Sequence, residues 1–225
     1  MQSELLSNIF AHEALDLWIK EMVKPCCKGN VEIFRYADDA VICCESETEA
    51  VRIRNTLTKR LAKFKLRLNE EKTKLVSFDK IKASQGIEQG TFDFLGFTFY
   101  LRKSVRGKYV PKLKTKSKGV KTKLKRVTEW WRQNRNLKRL RDLWGIFISK
   151  MRGHIQYFGV SHNIRHVDHF IRGATRIAFN WLNRRSQRKS FTWEQFNKFI
   201  KMYPLPKVKV VHRLFLTRTE RRILS

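Results

Sequence analysis

Apolar positions recur at helical spacing over residues 5–19, where Leu5, Leu6, Ile9, Phe10, Leu15 and Trp18 predict an amphipathic helix. Pro25 and Gly29-Asn30 end it. Two short apolar runs follow, Val31-Glu32-Ile33-Phe34 and Ala40-Val41-Ile42-Cys43-Cys44, and their spacing predicts strand, tight turn, strand. A second helix is expected from Glu47 to about Leu68, with Ser46 as its cap and Val51, Ile53, Leu57, Leu61 and Phe64 as its apolar face. Leu75-Val76-Ser77-Phe78 reads as a short strand and residues 85–90 as a loop. Residues 92–100 read as one strand, with Tyr109-Val110 pairing back to it across Arg106-Gly107. After Pro111 the pattern turns helical, with segments at about 120–134, 137–152 and 164–184. A last helix over residues 191–202 is capped at Ser190 or Thr192, and Pro204 and Pro206 then stop helix formation ahead of a basic tail. The fold class is therefore α+β: an antiparallel sheet with helices over residues 1–111, then an all-helical domain over 112–225, with the break between about 105 and 118.

Charge sharpens that division. The 225 residues include 49 Lys and Arg against 20 Asp and Glu, a net charge of +29. Residues 1–100 hold fifteen of each sign, so the remaining 34 basic and five acidic residues, and the whole excess, lie in 101–225. A segment this basic repels itself without a polyanion, and nucleic acid is the partner that counterion release favours. An anionic membrane surface is the alternative, weakened by the lack of a transmembrane-length apolar run or a visible signal peptide. The cysteines come as two adjacent pairs, Cys26-Cys27 and Cys43-Cys44, without the spacing of a zinc site. Cys43 and Cys44 are expected as small core residues, and the missing export signal makes a reducing cytoplasm the expected location.

The candidate chemistry sits at Tyr36-Ala37-Asp38-Asp39, at the tip of the predicted hairpin. Two adjacent carboxylates repel each other, and a hard divalent ion such as Mg²⁺ relieves the conflict while adding charge that a phosphate can meet. A solvated Asp-Asp turn is the other reading. His162, His166 and His169 invite a metal or nuclease reading, but Asn163 stands where a zinc-protease pattern needs Glu.

Phe34-Arg35-Tyr36-Ala37-Asp38-Asp39 resembles the Tyr-Ala-Asp-Asp hairpin of the reverse transcriptase palm, specifically that of the group II intron-encoded reverse transcriptase/maturase family. Four other stretches agree in order. Residues 5–16 resemble that family's palm helix, and Leu68-Asn69-Glu70-Glu71-Lys72-Thr73-Lys74 its Leu-Asn-x-x-Lys-Thr turn. Phe94-Leu95-Gly96-Phe97 resembles the primer grip, and residues 152–160 and 181–187 resemble the maturase (thumb) domain. The resemblance implies RNA-directed DNA synthesis and intron splicing assistance, with Asp38 as a ligand of a two-Mg²⁺ site and Asp39 ligating or orienting beside it. It implies Tyr36 against the primer-template backbone, and Arg35 supporting the fold or touching a phosphate. Lys112, Lys114, Lys116, Lys118, Lys121, Lys123, Lys125, Arg126, Arg184 and Arg185 would track phosphates of intron RNA or of an RNA/DNA primer-template. Trp130, Trp131 and Tyr157 either stack on unpaired bases or pack in the core. The family also uses an upstream Asp and a fingers region that have no counterpart in this sequence. The expectation is thus a carboxy-terminal fragment that binds intron RNA and is inactive in synthesis alone, or, alternatively, one half of a split enzyme in which a second polypeptide supplies the missing Asp and the fingers. A stand-alone RNA-binding splicing factor is the other alternative.

Overall fold

The computed structural model describes residues 2–185 and 192–214, with the side chains of residues 2–4 outside that description. The fold divides into two compact units: one up to Leu95 plus Phe99–Pro111, the other Gly96–Thr98 plus the described residues from Lys112 onward. The chain is α+β, with two small antiparallel sheets among its helices.

In the first unit, helix α1 (Gln2–Ala11) runs on into π-helical turns at His12–Asp16 and Trp18–Val23 and a 3₁₀ turn at Lys24–Cys26. The wider turns bring Ala14, Trp18, Ile19 and Val23 to one buried side. The predicted apolar face is only partly used: Trp18 is buried, whereas Leu5, Leu6, Ile9 and Phe10 are exposed. Strands β1 (Val31–Tyr36) and β2 (Asp39–Cys44) form an antiparallel hairpin, Val31 opposite Cys44 at its base and Tyr36 opposite Asp39 at its tip. Helix α2 (Glu47–Lys63) follows, shorter than expected because Phe64 and Lys65 close its end and Lys65 turns left-handed (φ +57°). Ile53 and Leu57 on α2 pack with Trp18, Ile19, Val23 and Val31 as the core, while Val51 stays exposed. Cys44 packs against this core, but Cys43 faces solvent, because successive strand residues alternate faces and both cannot point inward.

Residues 75–78 form no strand. One backbone bond, from Gly90 N to Ser77 O (3.1 Å), joins this stretch to its neighbour, and the Gln89 side chain takes the place of further backbone partners by accepting from Asp79 N (2.8 Å). Asp79 then caps the short helix α3 (Lys80–Ser84). The expected single strand over 92–100 is a hairpin: β3 (Phe92–Phe94) and β4 (Phe97–Lys103) flank Leu95 and Gly96, both at positive φ (+50° and +78°). Two successive positive φ values are the geometry of a type I′ turn, which the glycine permits. Strand β5 (Tyr109–Thr115) completes the three-stranded sheet, with β4 in the middle.

The second unit holds α4 (Ser117–Asn134), α5 (Leu140–Phe158), α6 (Ile164–Leu182) and α7 (Trp193–Met202). Thr192 caps α7 through a reciprocal capping box with Gln195; the alternative cap Ser190, and Phe191, lie outside the described residues, as do positions 215–225 of the tail. The core is aromatic: Trp131, Trp144, Phe147 and Phe196 are fully buried and in mutual ring contact. Gly173 on α6 lets α4 come close, since a Cβ there would meet Leu124 at 3.3 Å. Buried Asn163 ties strand to helices: Oδ1 accepts from Thr115 N (2.7 Å), and Nδ2 donates to Phe158 O and Thr115 Oγ1 (both 2.8 Å). The stretch beyond the prolines packs rather than trailing as a basic tail. Val211 N and His212 N both donate to Gly159 O, and a side chain at Gly159 would collide with the Ile155 carbonyl.

Candidate functional site

Period-two alternation builds the hairpin that presents the acidic pair. Val31 and Ile33 face the core, so the strands' inward faces set the register and deliver Ala37 and Asp38 as a two-residue turn. Ala37 takes a left-handed φ of +53°, unfavourable for a residue with a Cβ by about 1–2 kcal/mol. Arg35 holds it there: Nη1 donates to the Ala37 carbonyl (3.0 Å) and to Asn8 Oδ1 (3.2 Å). The same guanidinium grips Asp16 with two bonds, Nε to Oδ1 (2.8 Å) and Nη2 to Oδ2 (2.7 Å). Hydrogen bonding from Arg35 lowers the Asp16 carboxyl below its ordinary value and raises the guanidinium's. His12 Nδ1 lies 3.2 Å from the same carboxylate. A fork-shaped clamp thus links the π-helical turn to the hairpin tip, and Arg35 serves the fold.

Tyr36, Asp38 and Asp39 are all exposed at this tip, Tyr36 by 67%. Their hard oxygen donors suit Mg²⁺, but two carboxylates are too few to fix a pair of ions. Asp16 does not complete the set, because Arg35 already occupies both its oxygens. Among the described residues no three His, Cys, Asp or Glu side chains gather into a group that could hold a metal. That statement covers the histidine series as well, in which Asn163 is a buried structural link.

The observation that bears most on identity comes from the same stretch. Residues 1–99 match the reverse transcriptase (RNA-dependent DNA polymerase) family model. The match supports reverse-transcriptase kinship for this segment, and it spans the acidic hairpin, its Arg35–Asp16 clamp and the β3–β4 turn. No curated protein and no solved structure matches the chain. No helix among the described residues is long and apolar enough to cross a membrane.

The predicted phosphate-tracking residues lie outside the matched residues 1–99 and divide by local structure. Lys112 and Lys114 alternate along β5 with buried Leu113 and Thr115, so strand pleating puts them on the opposite face from those two. Lys116 stands just before α4. Lys118, Lys121 and Lys125 follow at i, i+3 and i+7 on α4 and are exposed, forming one basic stripe. Lys123 and Arg126 occupy a different face: Lys123 is half-buried, 3.6 Å over the Phe158 ring, and burial followed by the charge of Arg126 lowers its pKa. Arg184 is exposed beside the Trp181 ring, and Arg185 donates to Lys138 O (3.1 Å), which makes it partly a structural link. Trp131 is core, Trp130 is half-buried against it, and Tyr157 is 52% exposed. Sequence reasoning missed Asp16 as the partner of Arg35, nineteen positions away, and Lys150, which stands over Trp130.

Proposed function

We propose that this chain is the carboxy-terminal portion of a group II intron-type reverse transcriptase/maturase, with part of the palm over residues 1–111 and the thumb/maturase domain over 112–225. In this reading the basic helical unit binds intron RNA or an RNA/DNA primer-template. Asp38 and Asp39 carry part of a Mg²⁺ site, with Tyr36 beside the primer-template. Bound Mg²⁺ would activate the attacking hydroxyl and neutralise the leaving phosphate. The chain's own residues hold the two carboxylates on a rigid turn, through Arg35 and Asp16.

The observation that carries the reading is this acidic corner, in a segment matching reverse transcriptases, together with a stretch from residue 101 onward that bears the whole charge excess. Among the described residues no third carboxylate joins Asp38 and Asp39, and in this reading a second polypeptide supplies it. Without it, transition-state stabilisation falls by several kcal/mol, or thousands-fold in rate. Purified chain with Mg²⁺, dNTPs and a primed RNA template is expected to give no extension. Robust extension that Asp38→Ala abolishes would refute this. The alternative, a stand-alone RNA-binding splicing factor, is favoured by the separation of charge from the carboxylates. It is chosen if alanine at both aspartates leaves splicing assistance intact while neutralising the α4 lysines removes it.

A further inference from the structure

One cavity of the helical unit belongs to neither the acidic corner nor the exposed lysine stripe. It is a cleft of about 380 Å³ between α4, α5 and α6. Lys123 and Arg126 on α4 and Lys150 on α5 give it three cations, and no lining residue is acidic. Its floor is aromatic: His154 stacks on Phe170 (ring centroids 3.7 Å apart) and on Phe158 (4.7 Å), and Tyr157 abuts Phe158 (4.6 Å). His154 Nε2 is buried, and no hydrogen-bond partner reaches it among the described residues. A buried polar atom without a partner is a standing cost that a ligand can remove.

Cations around aromatic rings with an unmet polar atom suit one ligand chemistry, a nucleobase with its flanking phosphate. A duplex cannot offer this, since its bases are stacked inside. We propose that the cleft receives one unpaired nucleotide, its base on Tyr157 and within reach of His154 Nε2, its phosphate among Lys123, Arg126 and Lys150. This rests on the reading of the helical unit as a nucleic-acid-binding unit and adds a subsite for single strands to it.

Gly153 gives a clean test. A Cβ built there meets nothing within 4 Å, so Gly153→Leu should fill the cleft without disturbing the helix or the charges. The full chain would be titrated with a labelled single-stranded 12-mer RNA, the same sequence as DNA, and an RNA hairpin duplex. Gly153→Leu and Tyr157→Ala should each weaken single-strand binding about tenfold, in line with the loss of one stacked base, and change duplex binding less than about twofold. Circular dichroism melts check that both variants fold. Equal effects on RNA and DNA assign the site to the base and phosphate alone, and a larger effect on RNA adds the 2′-hydroxyl; either supports the site. Single-strand binding unchanged in both variants overturns it, and so does a parallel loss for strand and duplex. If Lys118→Gln/Lys121→Gln/Lys125→Gln still weakens all three nucleic acids while Gly153→Leu weakens none, the broader RNA-binding reading survives and the nucleotide site falls.

Discussion

The two units solve opposite electrostatic problems. Up to residue 100 the chain balances its charges, and its best-formed ion pair, Arg35 with Asp16, is spent on holding a turn. From residue 101 onward it carries the whole +29, and ion pairs such as Glu129–Arg132 (2.6 Å) and Asp168–Arg172 (2.9 Å) stay within single helices. In the first unit, charge positions a backbone so that two carboxylates are presented. In the second, an aromatic core holds the helices together against their own positive charge, and the cations are the groups that the proposed RNA binding would use.

The sharpest way to break this comparison is to weaken each core separately. Phe147→Ala removes a fully buried ring in contact with Trp131 and Trp144 and should destabilise the helical unit by about 3–5 kcal/mol. Ile53→Ala in the first unit should destabilise by about 2–4 kcal/mol. Denaturant titration followed by hydrogen exchange would read both; loss of protection confined to the mutated unit supports two separate cores. Next in size is the clamp: Arg35→Leu leaves Asp16 without its fork and Ala37 O without its donor. Being partly solvent-exposed, the clamp should be worth about 1–2 kcal/mol, read as lost exchange protection at the hairpin tip.

The smallest effect is with pH. Burial, then the nearby Lys123 ammonium, holds His154 down at about 4, against 6.5 ordinarily. Burial lowers His162 and His166 as well. The unfolded chain therefore takes up protons between pH 6.5 and about 4 that the folded unit refuses, and stability falls as pH falls through that window. For His154, which is partly exposed, the loss should be about 1–2 kcal/mol, and His154→Gln should flatten it in melts run from about pH 7 to about pH 4.

How much of this was legible in the sequence depended on what each stretch encodes locally. The hairpin and the helices α2 and α4–α7 follow from hydrophobic period, with the Thr192 cap marking α7 as well, while Ser46 stands at the start of α2 without making its expected capping bond. The Leu95-Gly96 turn did not, because leucine gives no turn signal and four phenylalanines around it read as one strand. Nor did the π-helical turns, whose wider register breaks the 3.6-residue spacing and moves burial to Ile19 and Val23. Lys112 and Lys114 fall in the stretch expected to be all-helical, whereas burial of Leu113 and Thr115 makes them one face of a strand. At the candidate site, Asp38 and Asp39 announced themselves by their position between apolar runs. The partnership of Asp16 with Arg35 is long-range and has no local signature.

The central claim is that binding resides in the cationic helical unit and is independent of the acidic corner. Its most direct test is the slope of log Kd against log salt for a structured RNA. The wild-type chain should lose affinity steeply with salt, and Asp38→Ala/Asp39→Ala should follow the same line. Lys118→Gln/Lys121→Gln/Lys125→Gln should reduce the slope by about 2–3, one increment for each phosphate that a lysine no longer neutralises. A Kd insensitive to salt, or a lysine variant that tracks the wild type, would contradict the account.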